Sequence, residues 1–253
     1  MNEMDKKVLA ILAHPDDAEI MCAGTLALLK EAGWEVHMAT MTPGDKGSAE
    51  HTQQEISEIR MSEARNSAKI IDAPYYCVGL EDLFVLYHEE SITKTTALIR
   101  KVKPTVVITA SPVDYMVDHE TTAKIVVTAC FSAGIKNLET GEPPFEFTPY
   151  LYYCDAMDGM DKLGNPIDPA FYVDITTTMP VKEKMLGTHA SQRNWLLKHH
   201  KMDEYILAMK RFARLRGEEV KVEYAEGFRQ HLGHGFPHDN VLAESLKKYI
   251  LTR

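Results

Sequence analysis

His14-Pro15-Asp16-Asp17-Ala18-Glu19 places one imidazole and two adjacent carboxylates directly behind the apolar run Val8-Leu9-Ala10-Ile11-Leu12-Ala13. A short apolar run bounded by a turn reads as a buried strand, and the spacing of Ile20, Ala23, Gly24, Ala27 and Leu28 behind it is helical. These titratable groups therefore occupy a strand-to-helix turn, where open parallel sheets place their ligands. His14 and Asp17 can aim at one ion while Asp16, between them, points elsewhere. An ion with a free carboxylate beside it is the equipment of metal-assisted hydrolysis. Capping of the helix by the two aspartates is the simpler alternative, but it explains neither His14 nor the second acid.

A third candidate ligand comes from a second strand end. The β-branched run Thr105-Val106-Val107-Ile108-Thr109 leads into Ala110-Ser111-Pro112-Val113-Asp114-Tyr115-Met116-Val117-Asp118-His119. Ala123, Val126, Val127, Cys130 and Phe131 then mark one apolar helix face. His119 thus stands near a helix N-terminus at an equivalent edge of the sheet. A His/Asp/His set leaves a coordination position for water, as a catalytic zinc site requires. Asp114 either orients a ligand from behind or closes a turn after Pro112.

The elements that must carry these residues alternate. Strands are expected at 7–13, 35–42, 75–78 and 105–109, with helices at about 18–32, 54–71 and 90–102 between them. This succession specifies an α/β protein with a mainly parallel sheet, and right-handed crossovers make it a Rossmann-like three-layer sandwich. The second half is less regular. Strands are expected at 150–153 and 172–175, helical segments at about 179–216, and an ordered loop at 230–240 that holds His231, His234 and His238. No linker or repeat divides the chain, so residues 1–253 are expected to form one domain.

Composition narrows the class of function. With 45% hydrophobic and 26% charged residues the balance is that of an ordinary globular protein. The net charge of -9 argues against a nucleic-acid partner, and the basic residues within 210–216 read as a solvated helix face, as do His199 and His200. Cys22, Cys77, Cys130 and Cys154 are scattered singly, without a Cys-x-x-Cys pair, and read as buried thiols of a reducing compartment. No apolar leader and no run of about 18 apolar residues is present, so a cytoplasmic protein without a membrane span is expected. No Gly-x-Gly-x-x-Gly follows the first strand, which disfavours a dinucleotide cofactor, and Gly44-Asp45-Lys46-Gly47 lacks phosphate-loop spacing.

Ala13-His14-Pro15-Asp16-Asp17-Ala18-Glu19, Pro112-x-Asp114 with Asp118-His119, His189-Ala190-Ser191-Gln192 and Tyr224-Ala225-Glu226-Gly227-Phe228 together resemble the LmbE-like/PIG-L de-N-acetylases. That family includes the deacetylases of mycothiol and bacillithiol synthesis and the enzyme acting on N-acetylglucosaminyl-phosphatidylinositol. The matches span about residues 8–230. The resemblance implies zinc (Zn2+) bound by His14, Asp17 and His119, with Asp16 as general base and Arg60 helping to hold the substrate. It also implies a small-molecule N-acetylated sugar or glycoside as substrate; Asp118, like Asp114, is a candidate for orienting a ligand from behind. Relatives form rings or dimers, which makes a homo-oligomer compatible with it.

One departure matters. Where the family shows His-Pro-Asp-His, this chain has Met116-Val117-Asp118-His119. The first histidine of that quartet is assigned to stabilising the oxyanion or protonating the leaving amine, and a thioether does neither. The expectation is that Met116 and Tyr115 line the substrate pocket and that His231 or His234, or Tyr115 itself, supplies the missing donor. Two other functions are open to the same residues. Two histidines and a carboxylate also make the iron(II) facial triad of oxygenases, though the three-residue spacing from His14 to Asp17 is unlike it. A catalytically impaired homologue that binds metal and sugar is the second alternative, against which the presence of Asp16 argues. Substrate choice is expected to lie in loops 43–53, 81–90, 156–169 and 230–240.

Overall fold

The structure, a computed structural model, describes residues 5–193 and 204–253. His199 and His200 lie outside the described residues. One sheet runs in the order β3-β2-β1-β4-β5-β7-β6-β8. Its strands are β1 (Lys7–Leu12), β2 (Glu35–Thr40), β3 (Tyr75–Cys77), β4 (Val106–Thr109), β5 (Tyr150–Cys154), β6 (Phe171–Asp174), β7 (Ala225–Gln230) and β8 (Ile250–Leu251). The pairings β3-β2-β1-β4-β5 are all parallel, as the alternation of strands and helices requires. The remaining pairings, β5-β7, β7-β6 and β6-β8, are antiparallel. The expected sheet is thus correct for the first five strands and gains an antiparallel wing. That wing was hidden because β7, with Glu226, Gly227 and Arg229, and the two-residue β8 carry no strand-like alternation.

Residues of β1 alternate between two cores. Val8, Ala10 and Leu12 pack with Leu26, Leu29, Met185, Met209 and Phe212; Leu9 and Ile11 pack with Leu98, Ile99, Val102, Ile125 and Val126. The sheet therefore has helices on both faces, which is why its central strands are apolar on both sides. The helices are α1 (Asp17–Met21), α2 (Ala23–Glu31), α3 (Gln53–Lys69), α4 (Glu89–Val102), α5 (Val117–Ser132), α6 (Met179–Leu186), α7 (Glu204–Val220) and α8 (Val241–Ser245). Thr52 and Glu55 form a capping box that starts α3. None of the helices in the described residues is long and apolar enough to cross a membrane.

Two expectations need correction. The helix read over 18–32 is two helices, broken at Cys22 (φ -144°, ψ 6°). The cause lies 200 residues away: Glu226 of β7 accepts the N–H groups of Gly24 (2.9 Å) and Thr25 (2.8 Å), ending one helix and beginning the next. Gly24 is needed there, since a Cβ would lie 2.7 Å from Ile175 Cβ. The face over 210–216 is not wholly solvated either. Arg216 is buried, donating to Asp155 Oδ2 (2.5 Å) and to the carbonyl of Ile167 (2.8 Å).

Glu226 also pairs with Lys182 of α6 at 2.5 Å, with both side chains at most 2% exposed. Removing one partner leaves an uncompensated buried charge. Lys182→Met is therefore expected to cost about 3–5 kcal/mol and to lower Tm on the order of 10 °C. Scanning calorimetry checks this, and an unchanged Tm would show that Glu226 is satisfied by the α2 amides alone.

Candidate metal centre and active-site cavity

β1 and β4 lie side by side in parallel register, and the chain leaves β1 toward β2 on one side while β4 and β5 continue on the other. The C-terminal ends of β1 and β4 thus flank the point where strand order reverses, where ligands of such sheets bind. His14 and Asp17 come from the β1–α1 turn and His119 from the first turn of α5. Asp17 Oδ2 lies 3.4 Å from His14 Nδ1 and 3.4 Å from His119 Nε2. One ligand atom from each of the three residues falls within 4.8 Å of the others. All three side chains are buried.

Each imidazole turns its other nitrogen to a further carboxylate. His14 Nε2 lies 3.2 Å from Asp118 Oδ2, and His119 Nδ1 lies 3.0 Å from Asp114 Oδ1. Asp118 in turn accepts the Leu83 N–H at 2.8 Å, and Asp114 accepts that of Met116 at 3.1 Å. A histidine that donates one N–H to a carboxylate presents the other nitrogen's lone pair in a fixed direction, the arrangement metal-binding histidines use. Imidazole nitrogens with one carboxylate oxygen form a donor set suited to zinc, so these residues fit such an ion.

Electrostatics follow from the crowding. Burial opposes charging of His14, but Asp17 and the Asp118 hydrogen bond outweigh it and push its pKa from 6.5 up to about 9. At His119 the same opposition is overcome by Asp17 and Asp114, up to about 11. Burial likewise works against ionising Asp17, yet the two imidazoles hold its carboxyl well below the usual range. Neutral or acidic solution thus favours protons at this centre, and a metal must displace them. Asp118→Asn, which weakens the hold on His14, is expected to lower metal affinity by about 10–100-fold, measured by competition with a fluorescent chelator. An unchanged affinity would mean that packing alone orients His14.

Asp16 does not cap α1. It starts the helix in the left-handed region (φ 109°, ψ -23°) with no side-chain cap bond, a backbone state costing on the order of 1–3 kcal/mol in non-glycine residues. Its Oδ2 accepts from Tyr205 Oη at 2.5 Å, and its Oδ1 lies 3.4 Å from Arg60 Nη2. Burial raises the carboxyl's pKa above the ordinary value, with the Asp17 charge adding to it and Arg60 opposing. A carboxylate so held accepts protons more readily than one in water.

Arg60 faces inward rather than toward open solvent. It is 5% exposed, donates Nη2 to the Pro15 carbonyl at 2.7 Å, and approaches the Gly44 carbonyl at 3.5 Å through Nη1. Glu63, three residues further along α3, accepts from Ser191 N (2.8 Å) and Oγ (2.6 Å) rather than pairing with Arg60. Glu19 of the first motif lies beside His189, with 3.1 Å between Oε1 and Nε2. The His189-Ala190-Ser191-Gln192 segment therefore ties the end of α6 to α1 and α3.

These groups open on a cavity of about 800 Å³. Tyr115 and Met116 line it, as expected; the Tyr115 ring meets His119 edge-on, centroids 5.7 Å apart. His231 and His234 do not line it. His231 accepts from or donates to Tyr153 Oη through Nδ1 (2.7 Å) and faces a separate pocket with Pro112 and Glu120; His234 is exposed. The 230–240 loop follows β7, on the far side of β5 from β1, which keeps it from the β1–β4 edge. Among the lining residues not assigned to the site from sequence are the polar Asp82 and Tyr205. Asp82 sits in the loop after β3, the third strand end at this edge, and enumerating carboxylates at strand ends would have found it. Tyr205 had no sequence signal, being 189 residues from Asp16.

The family described as PIG-L, GlcNAc-PI de-N-acetylase, matches residues 9–130. Diacetylchitobiose deacetylase of Thermococcus kodakarensis is 28% identical over 193 residues, covering 74% of this chain and 70% of that protein. The N,N'-diacetylchitobiose deacetylase structure from Pyrococcus horikoshii is similar with a TM-score of 0.76 and 26% identity, over 93% of this chain and 88% of that one. The fold also matches a 4-carboxy-2-hydroxymuconate hydratase from Pseudomonas putida, with TM-score 0.77 and 21% identity over 92% and 99% of the two chains. The segment from β1 into α5 that builds the His14–Asp17–His119 centre is the segment the PIG-L family model matches, and over most of its length the chain is similar to deacetylases.

Proposed function

We propose that the chain is a metal-dependent hydrolase that removes the acetyl group from the nitrogen of an amino sugar or its glycoside. The observation that carries this reading is the His14–Asp17–His119 triangle with Asp16 beside it, hydrogen-bonded but bound to none of the three. A zinc ion held by the triangle would polarise the amide carbonyl and acidify a water next to it. Asp16 takes the proton of the attacking water as its oxygen adds to the acetyl carbon, and hands it to the amine as the C–N bond breaks. Acetate and the free amine leave.

Tyr205 and Arg60 fix the two oxygens of Asp16, so that its lone pairs keep one direction through the reaction. In this reading Arg60 is a positioning residue for the base rather than a clamp for a substrate anion. Met116 supplies no donor to the developing oxyanion. Tyr115, whose ring borders His119 in the cavity wall, is the residue we assign to it; His231 and His234 receive no catalytic role.

The hydratase of similar fold acts on a substrate named as a carboxy-hydroxymuconate, a polyanion, which calls for free cations. In this cavity Lys46 is paired with Asp45 (3.0 Å) and Glu81 (3.3 Å), and Arg60 with Asp16. That lining favours a substrate of lower charge. The test is a mass-spectrometric screen of N-acetylated amino sugars and glycosides for loss of acetyl by the metal-loaded chain. Acetate release from at least one of them is expected; release from none, by a chain that binds zinc, would overturn the proposal in favour of a metal- and sugar-binding protein.

A further inference from the structure

We infer that the substrate carries an alkyl or aryl group, seated on an apolar wall of the cavity next to the reacting amide. This rests on the reading of the reacting centre above and extends it to what lies beside the amide. Ile20 of α1, Met157 of a short 3₁₀ turn (Met157–Gly159) and Ala208 with Met209 of α7 line the cavity together, and Met116 and Leu83 add to it from two loops. On α7 the residues Tyr205, Ala208 and Met209 follow the i, i+3, i+4 spacing that puts them on one helix face. Ile20 and Met157 pack on the core below but stay only partly buried, so their remaining surface is offered to whatever fills the cavity.

The polar side chains of the lining are largely committed to protein partners. Gln192 donates to the Gly47 carbonyl at 3.0 Å; Asp82 accepts from the Thr42 hydroxyl and from Lys46 N–H. Lys46 and Arg60 are paired as described. A bare polyol needs many donors and acceptors around it, and leaving its hydroxyls against thioethers and methyl groups is unfavourable. An alkyl or aryl group gains by displacing water from the same wall. Methionines suit that task, since their unbranched, polarisable side chains adapt to irregular apolar shapes.

The mouth continues the pattern. Leu83 is 64% exposed in a left-handed backbone conformation (φ 69°), and its N–H is held by Asp118, the carboxylate that also orients His14. An exposed leucine is thus anchored at fixed distance from the metal centre. The apolar group has two chemical sources: an O-linked substituent of a glycoside, or an acyl chain on nitrogen longer than acetyl.

The experiment measures binding by calorimetry to the full, metal-loaded Asp16→Asn chain, which should not consume its ligands. The probes are N-acetylglucosamine, its phenyl and octyl β-glycosides, and N-octanoylglucosamine. Burial of a group the size of a leucine or phenylalanine side chain tightens binding by about 10–100-fold, and that gain is expected for one arm. Gain with the glycosides places the wall against the O-linked substituent; gain with N-octanoylglucosamine places it against the acyl chain. Met157→Gln, of similar shape but polar, should reduce the ratio of apolar to bare probe toward one. Equal binding of all four probes, or a ratio untouched by Met157→Gln, overturns the inference. Acetyl release assays on the parent run in parallel. Deacetylation without an apolar preference retains the proposed function and rejects the wall. An apolar preference without any deacetylation does the reverse.

Discussion

Replacing Asp16 by Asn is expected to lower turnover by about 10²–10⁴-fold while leaving one metal per chain in place. The carboxamide has the shape of the carboxylate, and its oxygen can still accept from Tyr205 Oη, but it cannot take a proton at neutral pH. Asn also tolerates the left-handed backbone of position 16 about as well as Asp, so the strained turn gives no reason for unfolding. Turnover and metal content, measured on the same preparation, separate a lost base from a lost ion. An Asn variant as active as the parent would remove Asp16 from the chemistry and leave it a structural acid.

His119→Ala is expected to have a larger effect on the metal than loss of any carboxylate behind the ligands. Such outer partners are worth about 10–100-fold in affinity, whereas this change removes one of three direct donors, and stoichiometric metal should be lost on gel filtration. The metal-free chain should also be less stable, since Asp114 and Asp17 are left buried without the cation between them. The pH dependence has a definite sign. Folded His14 and His119 titrate at about 9 and about 11 against the ordinary 6.5. Their stabilisation of the metal-free chain is complete below about pH 6.5 and fades as the pH climbs through those values. Metal binding runs the other way, because both imidazoles must be neutral to ligate. Tm of the chelated chain should therefore fall from about pH 7 to about pH 10 while metal affinity rises over the same range. A chelated chain that grows more stable with rising pH would contradict the His–Asp pairing.

The half of the fold built from local signals was legible in the amino-acid order. Short apolar or β-branched runs bounded by turns marked β1 and β4, and the helix expected at about 54–71 falls close to α3. Two strand ends with chemistry-bearing loops then had to converge, since parallel neighbours deliver their C-terminal ends to one edge. What stayed hidden depends on distant partners. The break at Cys22 is made by Glu226, the hold on Asp16 by Tyr205, and the inward turn of Arg60 by the Pro15 carbonyl; none leaves a periodicity or spacing to read. The histidines at 231 and 234 looked suited to the site by type alone, and the strand order, which places β5 between β7 and β4, keeps them away.

The Glu226 clamp divides labour across the chain in a way that a fragment would expose. Every candidate metal ligand lies before residue 120, yet the helix that follows the one carrying Asp17 has its first amides bound by a carboxylate from β7, and the base is held by a tyrosine from α7. A polypeptide ending after α5 would own the whole coordination set without the parts that shape it. Such a piece should capture metal poorly and turn over nothing, and supplying the remaining residues as a separate polypeptide should restore both together. Ion capture and proton transfer would then be inherited as one cooperative unit, although the groups that support them come from the other end of the chain.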